Sequence, residues 1–142
     1  MSVEQISATL QTAMTEVLES MCFILPGEPV DMAAFAGEPW MEHTLTFHGP
    51  EEGRFGIRAP RPVAVRIASD FLGEDPVDLS EQQVGEVMNE LANMVCGNVR
   101  GHCYHDHAFA LTSPTVMHPV SQEEGAQFDW EEGVLVAWVK TY

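Results

Sequence analysis

The stretch Ser80-Glu81-Gln82-Gln83-Val84-Gly85-Glu86-Val87-Met88-Asn89-Glu90-Leu91-Ala92-Asn93-Met94-Val95-Cys96-Gly97-Asn98-Val99-Arg100 decides how the chain is read. Ser80 and Gln83 form a capping box, in which each side chain takes a backbone N–H that the first helical turn leaves without a partner. A helix over about 81–100 follows. At ~100° per residue, Val84, Val87, Met88, Leu91, Val95 and Val99 gather on one side, which must be buried. Glu86, Glu90, Asn93 and Gly97 gather on the other, facing solvent or a partner. A glycine inside a helix costs ~1 kcal/mol relative to Ala, so Gly97 invites a reason such as close approach by another molecule.

Working outward, Ser2 and Gln5 form a second capping box for a helix over about 3–21, with Val3, Ile6, Leu10, Met14, Val17, Leu18 and Met21 on its buried face. Residues 26–39, rich in Pro and Gly, read as an irregular connection. Residues 41–48 and 54–59 form a hairpin about Gly49-Pro50-Glu51-Glu52-Gly53. Pro62 suits the first turn of a helix carrying Val63, Ala64, Ile67, Ala68 and Phe71, and 73–79 end it. Beyond Gly101, residues 109–112, 128–130 and 134–142 read as strands. The last is apolar on both faces, as expected of a strand covered on both sides or extended by a partner. This order predicts a single α+β domain over 1–142, with helices packed on a mainly antiparallel sheet.

Composition narrows the function. In 142 residues there are 6 Lys plus Arg against 22 Asp plus Glu, a formal charge of −16. Nucleic acid needs a basic footprint, and an anionic membrane would repel such a chain, so neither is expected as a partner. No run approaches the ~18 apolar residues of a membrane span. The N-terminus has no basic region ahead of an apolar stretch, and Cys22, Cys96 and Cys103 are odd in number. Both features point to a cytoplasmic protein with reduced thiols.

The pair Glu90-x-x-Asn93 is by itself a common spacing, for which a solvated polar face is the plain reading. The longer string from Glu90 to Val99 resembles the motif helix of the CheC/CheX/FliY family of chemotaxis phosphatases, which act on phosphorylated response-regulator receiver domains. The family pattern is Asp or Ser, three residues, Glu, two residues, Asn, and a Pro further on. Glu90 and Asn93 take the Glu and Asn places, Glu86 stands where Asp or Ser is usual, and Pro114 resembles the downstream Pro. In the first helix Glu16 is followed three residues later by Glu19 rather than Asn. One motif is therefore present, as in CheX-type members, whereas CheC-type members carry two.

The resemblance implies a CheC-like fold and a protein-aspartyl-phosphate phosphatase acting on a CheY-like receiver, in chemotaxis or related two-component signalling. Its chemistry is mainly positioning, since the receiver already holds the phosphate beside Mg²⁺. Asn93 would orient the attacking water through a carboxamide that offers one acceptor and two donors. Glu90 would pair with the receiver's active-site Lys, with Glu86 and Gly97 as further partner-binding positions. No cofactor or metal is implied in this chain; the Mg²⁺ belongs to the receiver. CheX-type members also form homodimers through a continuous sheet. A non-catalytic receiver-binding or flagellar-switch adaptor of the same fold is the alternative. A weaker one is a metal site in His102-Cys103-Tyr104-His105-Asp106-His107, where an ordinary reading is a helix-ending loop.

Overall fold

Alternation along 40–60 builds the middle of the sheet. In the computed structural model, which describes residues 3–103, 110–117, 119–131 and 133–142, β1 (Trp40–His48) and β2 (Gly53–Pro60) pair antiparallel, with His43 opposite Ile57 and Leu45 opposite Phe55. β6 (Gly133–Thr141) pairs with β2, and β5 (Ala126–Trp130) pairs with β6. On the far side of β1 lie β3 (Ala110–Leu111) and β4 (Thr115–Val116). The register slips by one residue between them, a bulge that contains Pro114. Proline cannot donate to a ladder, so an edge-strand bulge is where a sheet tolerates it.

Three helices among the described residues pack on one face: α1 (Val3–Cys22), α2 (Arg61–Leu72) and α3 (Glu81–Cys103). The apolar stripes predicted from periodicity are the buried ones: Leu10, Met14, Val17 and Leu18 of α1, Val63, Ala64, Ile67 and Ala68 of α2, and all six apolar positions of α3. The capping box of α3 forms, with Gln83 Oε1 accepting from Ser80 N–H at 2.8 Å and Ser80 Oγ accepting from Gln83 N–H at 3.1 Å. Ser2, half of the other capping box, lies outside the described residues. Met21 is a correction: it is exposed, not buried. α1 closes by a bond from Ile24 N–H to Leu18 O at 3.1 Å, with Phe23 left-handed at φ 58°. That turn sends Cys22 and Ile24 inward in its place.

Of the two readings of the apolar strand 134–142, covered on both sides or extended by a partner, the first holds: β6 is hydrogen-bonded on both sides, to β2 and β5. Leu135 and Ala137 enter the helix-side core. Val134, Val136 and Trp138 are buried on the opposite face, which the chain's own irregular segments close. Val30 N–H donates to the Asp129 carboxylate there, and Gln127 donates to Val30 O. Gly56 lies across from Trp138, where a Cβ would run into the indole.

Glu42 fastens this second layer. Its fully buried carboxylate accepts from Trp138 Nε1 at 2.7 Å, Ser121 N–H at 2.6 Å and Ser121 Oγ at 2.7 Å, with Arg58 Nη1 at 3.6 Å. Glu42→Ala strands these donors beside a mostly buried guanidinium. It should lower stability by about 3 kcal/mol, read as a fall in the urea midpoint. A loss below about 1 kcal/mol would show that water replaces the carboxylate at little cost.

Candidate functional site

The capping box sets the start of α3 and the six apolar side chains set its rotation, so the polar stripe has one orientation available. Glu86, Glu90 and Gly97 are exposed and Asn93 is half-buried, all on the side away from the sheet. Glu90 and Asn93, three residues apart, stand side by side, roughly 5–6 Å between Cβ atoms. Gln82 Nε2 donates to Glu86 at 3.1 Å. A Cβ added at Gly97 would meet nothing within 4 Å, so packing within the chain does not require a glycine there.

Beneath this stripe lies a contact that strand alternation alone implies. His43 shares the inward face of β1 with Leu45 and Phe47, is fully buried, and its Nδ1 lies 2.7 Å from Asn89 Oδ1. The bond ties α3 to the sheet one residue before Glu90. At the other end, the buried Arg100 guanidinium sits 4.3 Å over the Phe47 ring and faces the Glu51 carboxylate at 3.8 Å. The Glu90–Gly97 part of the stripe is thus flanked by anchors at Asn89 and Arg100.

Asn98 donates from Nδ2 to Glu16 Oε2 at 2.8 Å, with His102 Nε2 at 3.4 Å from the same oxygen. The Asn98 and His102 bonds hold the Glu16 carboxyl below its ordinary value. This ties α1 to α3 and takes His102 toward Glu16. His105 and His107, with the Cys103 side chain, lie outside the described residues. Among the described residues, no three His, Cys, Asp or Glu side chains are grouped to hold a metal ion.

Of the described thiols, Cys22 and Cys96 are buried and do not supply a nucleophile. Burial pushes Cys96 up to about 12, against an opposing pull from Arg100, and burial with the nearby Asp70 charge pushes Cys22 to about 12 as well. Between about pH 9 and 12 the unfolded chain releases these protons while the folded chain keeps them, so stability should fall as pH rises through that window. Replacing both by Ala should flatten that slope in urea titrations. An unchanged slope would mean the thiols are not the cause.

A carboxylate and a carboxamide on an open helix face can engage another macromolecule and orient water on it; they do not enclose a small substrate. The model of the family described as chemotaxis phosphatase CheX matches residues 43–125, more than half of the chain. This chain belongs to the CheX family. The matched region contains α3 entire, with Glu90 and Asn93, and reaches past Pro114.

Solved CheX structures share the fold. CheX from Vibrio vulnificus is 19% identical and superposes with a TM-score of 0.71, over 95% of each chain. CheX from Desulfovibrio desulfuricans is 19% identical, TM-score 0.71, covering 97% of this chain and 99% of that one. The CheX–CheY–BeF3–Mg²⁺ complex from Borrelia burgdorferi matches at 19% identity and TM-score 0.70, over 96% and 97%. No curated protein sequence matches the chain.

Proposed function

We propose that this CheX-family protein hydrolyses the aspartyl phosphate of a CheY-like receiver domain. The carrying observation is the side-by-side display of Glu90 and Asn93 on the outward face of an anchored helix, in a chain of this family. Support for the partner comes from the related CheX that was solved bound to CheY with BeF3 and Mg²⁺.

In this reading the receiver supplies the phosphoryl group and the Mg²⁺ that neutralises its oxygens. The phosphatase supplies position. Glu90 reaches the receiver's active-site Lys and sets the docking register through a charge-assisted contact. Asn93, one turn on, holds a water in line with the phosphorus. The water oxygen bonds to phosphorus as the bond to the aspartyl oxygen breaks, leaving a carboxylate and inorganic phosphate. No base on this chain is required. Gly97 lets the receiver approach the helix backbone, and Glu86 adds a second carboxylate to the same contact.

A second copy, as the family resemblance implies, would join along the exposed edge formed by β3 and β4. The β5 edge is occupied: Gly27 N–H donates to Asp129 O at 2.8 Å and Gln11 Nε2 to Gln127 O at 3.1 Å. The Pro114 bulge limits pairing at the β3–β4 edge to short ladders.

Asn93→Ala should lower turnover by at least ~10²-fold while receiver binding changes little, because the lost group positions water and is not an anchor. Glu90→Ala should weaken binding as well, through loss of an interfacial ion pair. Both variants should unfold within ~0.5 kcal/mol of wild type, since neither side chain enters the core. Wild-type turnover in Asn93→Ala would refute the mechanism while leaving the fold untouched.

A further inference from the structure

Beside the Glu90–Asn93 stripe, the crease between α2 and α3 opens into a groove of about 230 Å³. Phe71, Leu72 and Val87 form its apolar part, and Gln83, Glu86 and Glu90 form its polar rim. Leu72 is the last residue of α2 and is 40% exposed, because Gly73 turns left-handed at φ 67° and leads the chain away. Further along the same side of α3 the surface differs: there Asn98 and His102 are engaged with Glu16 of α1.

We infer that this groove is the specificity pocket for the receiver, taking an apolar side chain flanked by basic ones on the receiver's surface. The inference rests on the phosphatase reading for its choice of partner. Glu90 lines the groove and is also the contact for the receiver's Lys, so a receiver that engages Glu90 lies over the groove. Covering Leu72 and Phe71 with anything polar would forfeit the gain from removing apolar surface from water. The two rim carboxylates, Glu86 and Glu90, favour cations at the pocket mouth. The footprint therefore extends from Glu90 toward the start of α3 and the end of α2, away from the later turns of α3 that Glu16 of α1 engages. Selection among receivers follows from which of them carry this apolar-plus-basic pairing beside the active-site Lys.

The test uses the full chain and a panel of receiver domains, measured in two ways: fluorescence titration with BeF3-activated receivers in Mg²⁺, and turnover of the phosphorylated ones. Leu72→Asp places a third carboxylate in the groove at an exposed position, and circular dichroism with thermal unfolding checks that it folds. Leu72→Ala removes the apolar contact without adding charge. Expected are rises in Kd and KM of at least ~10-fold for Leu72→Asp and ~3-fold for Leu72→Ala, with kcat within ~2-fold of wild type. Asn93→Ala should show the converse, a lowered kcat with Kd retained.

If a folded Leu72→Asp binds every receiver as tightly as wild type while Asn93→Ala has lost turnover, the groove is overturned and the phosphatase reading stands. If wild type binds receivers without dephosphorylating them and Leu72→Asp weakens that binding, the phosphatase reading falls and the groove stands as the docking site of an adaptor. If no receiver binds wild type, both fall.

Discussion

Burial of the apolar stripe of α3 on the sheet is the constraint from which the rest follows. Val84, Val87, Met88, Leu91, Val95 and Val99 are each at most 4% exposed. Full burial of one such side chain contributes ~1.5–3 kcal/mol, so turning the helix by even one position would forfeit more than most domains have to spare. The stripe therefore decides where Glu90 and Asn93 point. The His43–Asn89 bond refines that placement, since a buried imidazole without its partner would cost more than the bond contributes. Display of the pair is a consequence of helix rotation: one position along, the two side chains would fall at Leu91, which is fully buried, and Met94, which packs on the core.

The second consequence concerns division of labour across the sheet. The helix face holds the core and displays the polar stripe, while on the other face the described residues place no α-helix and mostly irregular segments close it. A loop closes a sheet face poorly through apolar contact alone, and a buried carboxylate at Glu42 supplies the attachment by collecting three hydrogen bonds from Trp138 and Ser121. Trp138 fits there because Gly56 across the ladder has no side chain to displace it. This layer makes β6 an interior strand with both faces buried, so it needs no second chain.

Periodicity and capping made most of the helix side legible. The box at Ser80 and Gln83 and the six-residue stripe located α3, and the string Glu90 to Val99 pointed to the family. Sequence could not reveal what depends on long-range pairing. The apolar strand 134–142 reads alike whether its neighbour is β2, β5 or another protein, because both faces are apolar in each case. Glu42 reads as a surface carboxylate until Trp138 and Ser121, 96 and 79 residues away in sequence, are brought to it. Met21 was misplaced because helical spacing continues smoothly to a helix end that a local turn at Phe23 interrupts. His43 is legible from alternation, which puts it on the face of Leu45 and Phe47, although a polar side chain is not an ordinary core residue.

In the proposed function, an exposed carboxylate and carboxamide on α3 turn a binding surface into a phosphatase. The lifetime of phosphorylated receiver domains, followed with increasing amounts of the wild-type protein, tests it most directly. At least one receiver should lose its phosphate faster in a saturable way, by ~10²-fold or more at saturation. A receiver that binds the protein tightly through the α3 face, yet keeps its phosphate for the same time at every concentration, would contradict it.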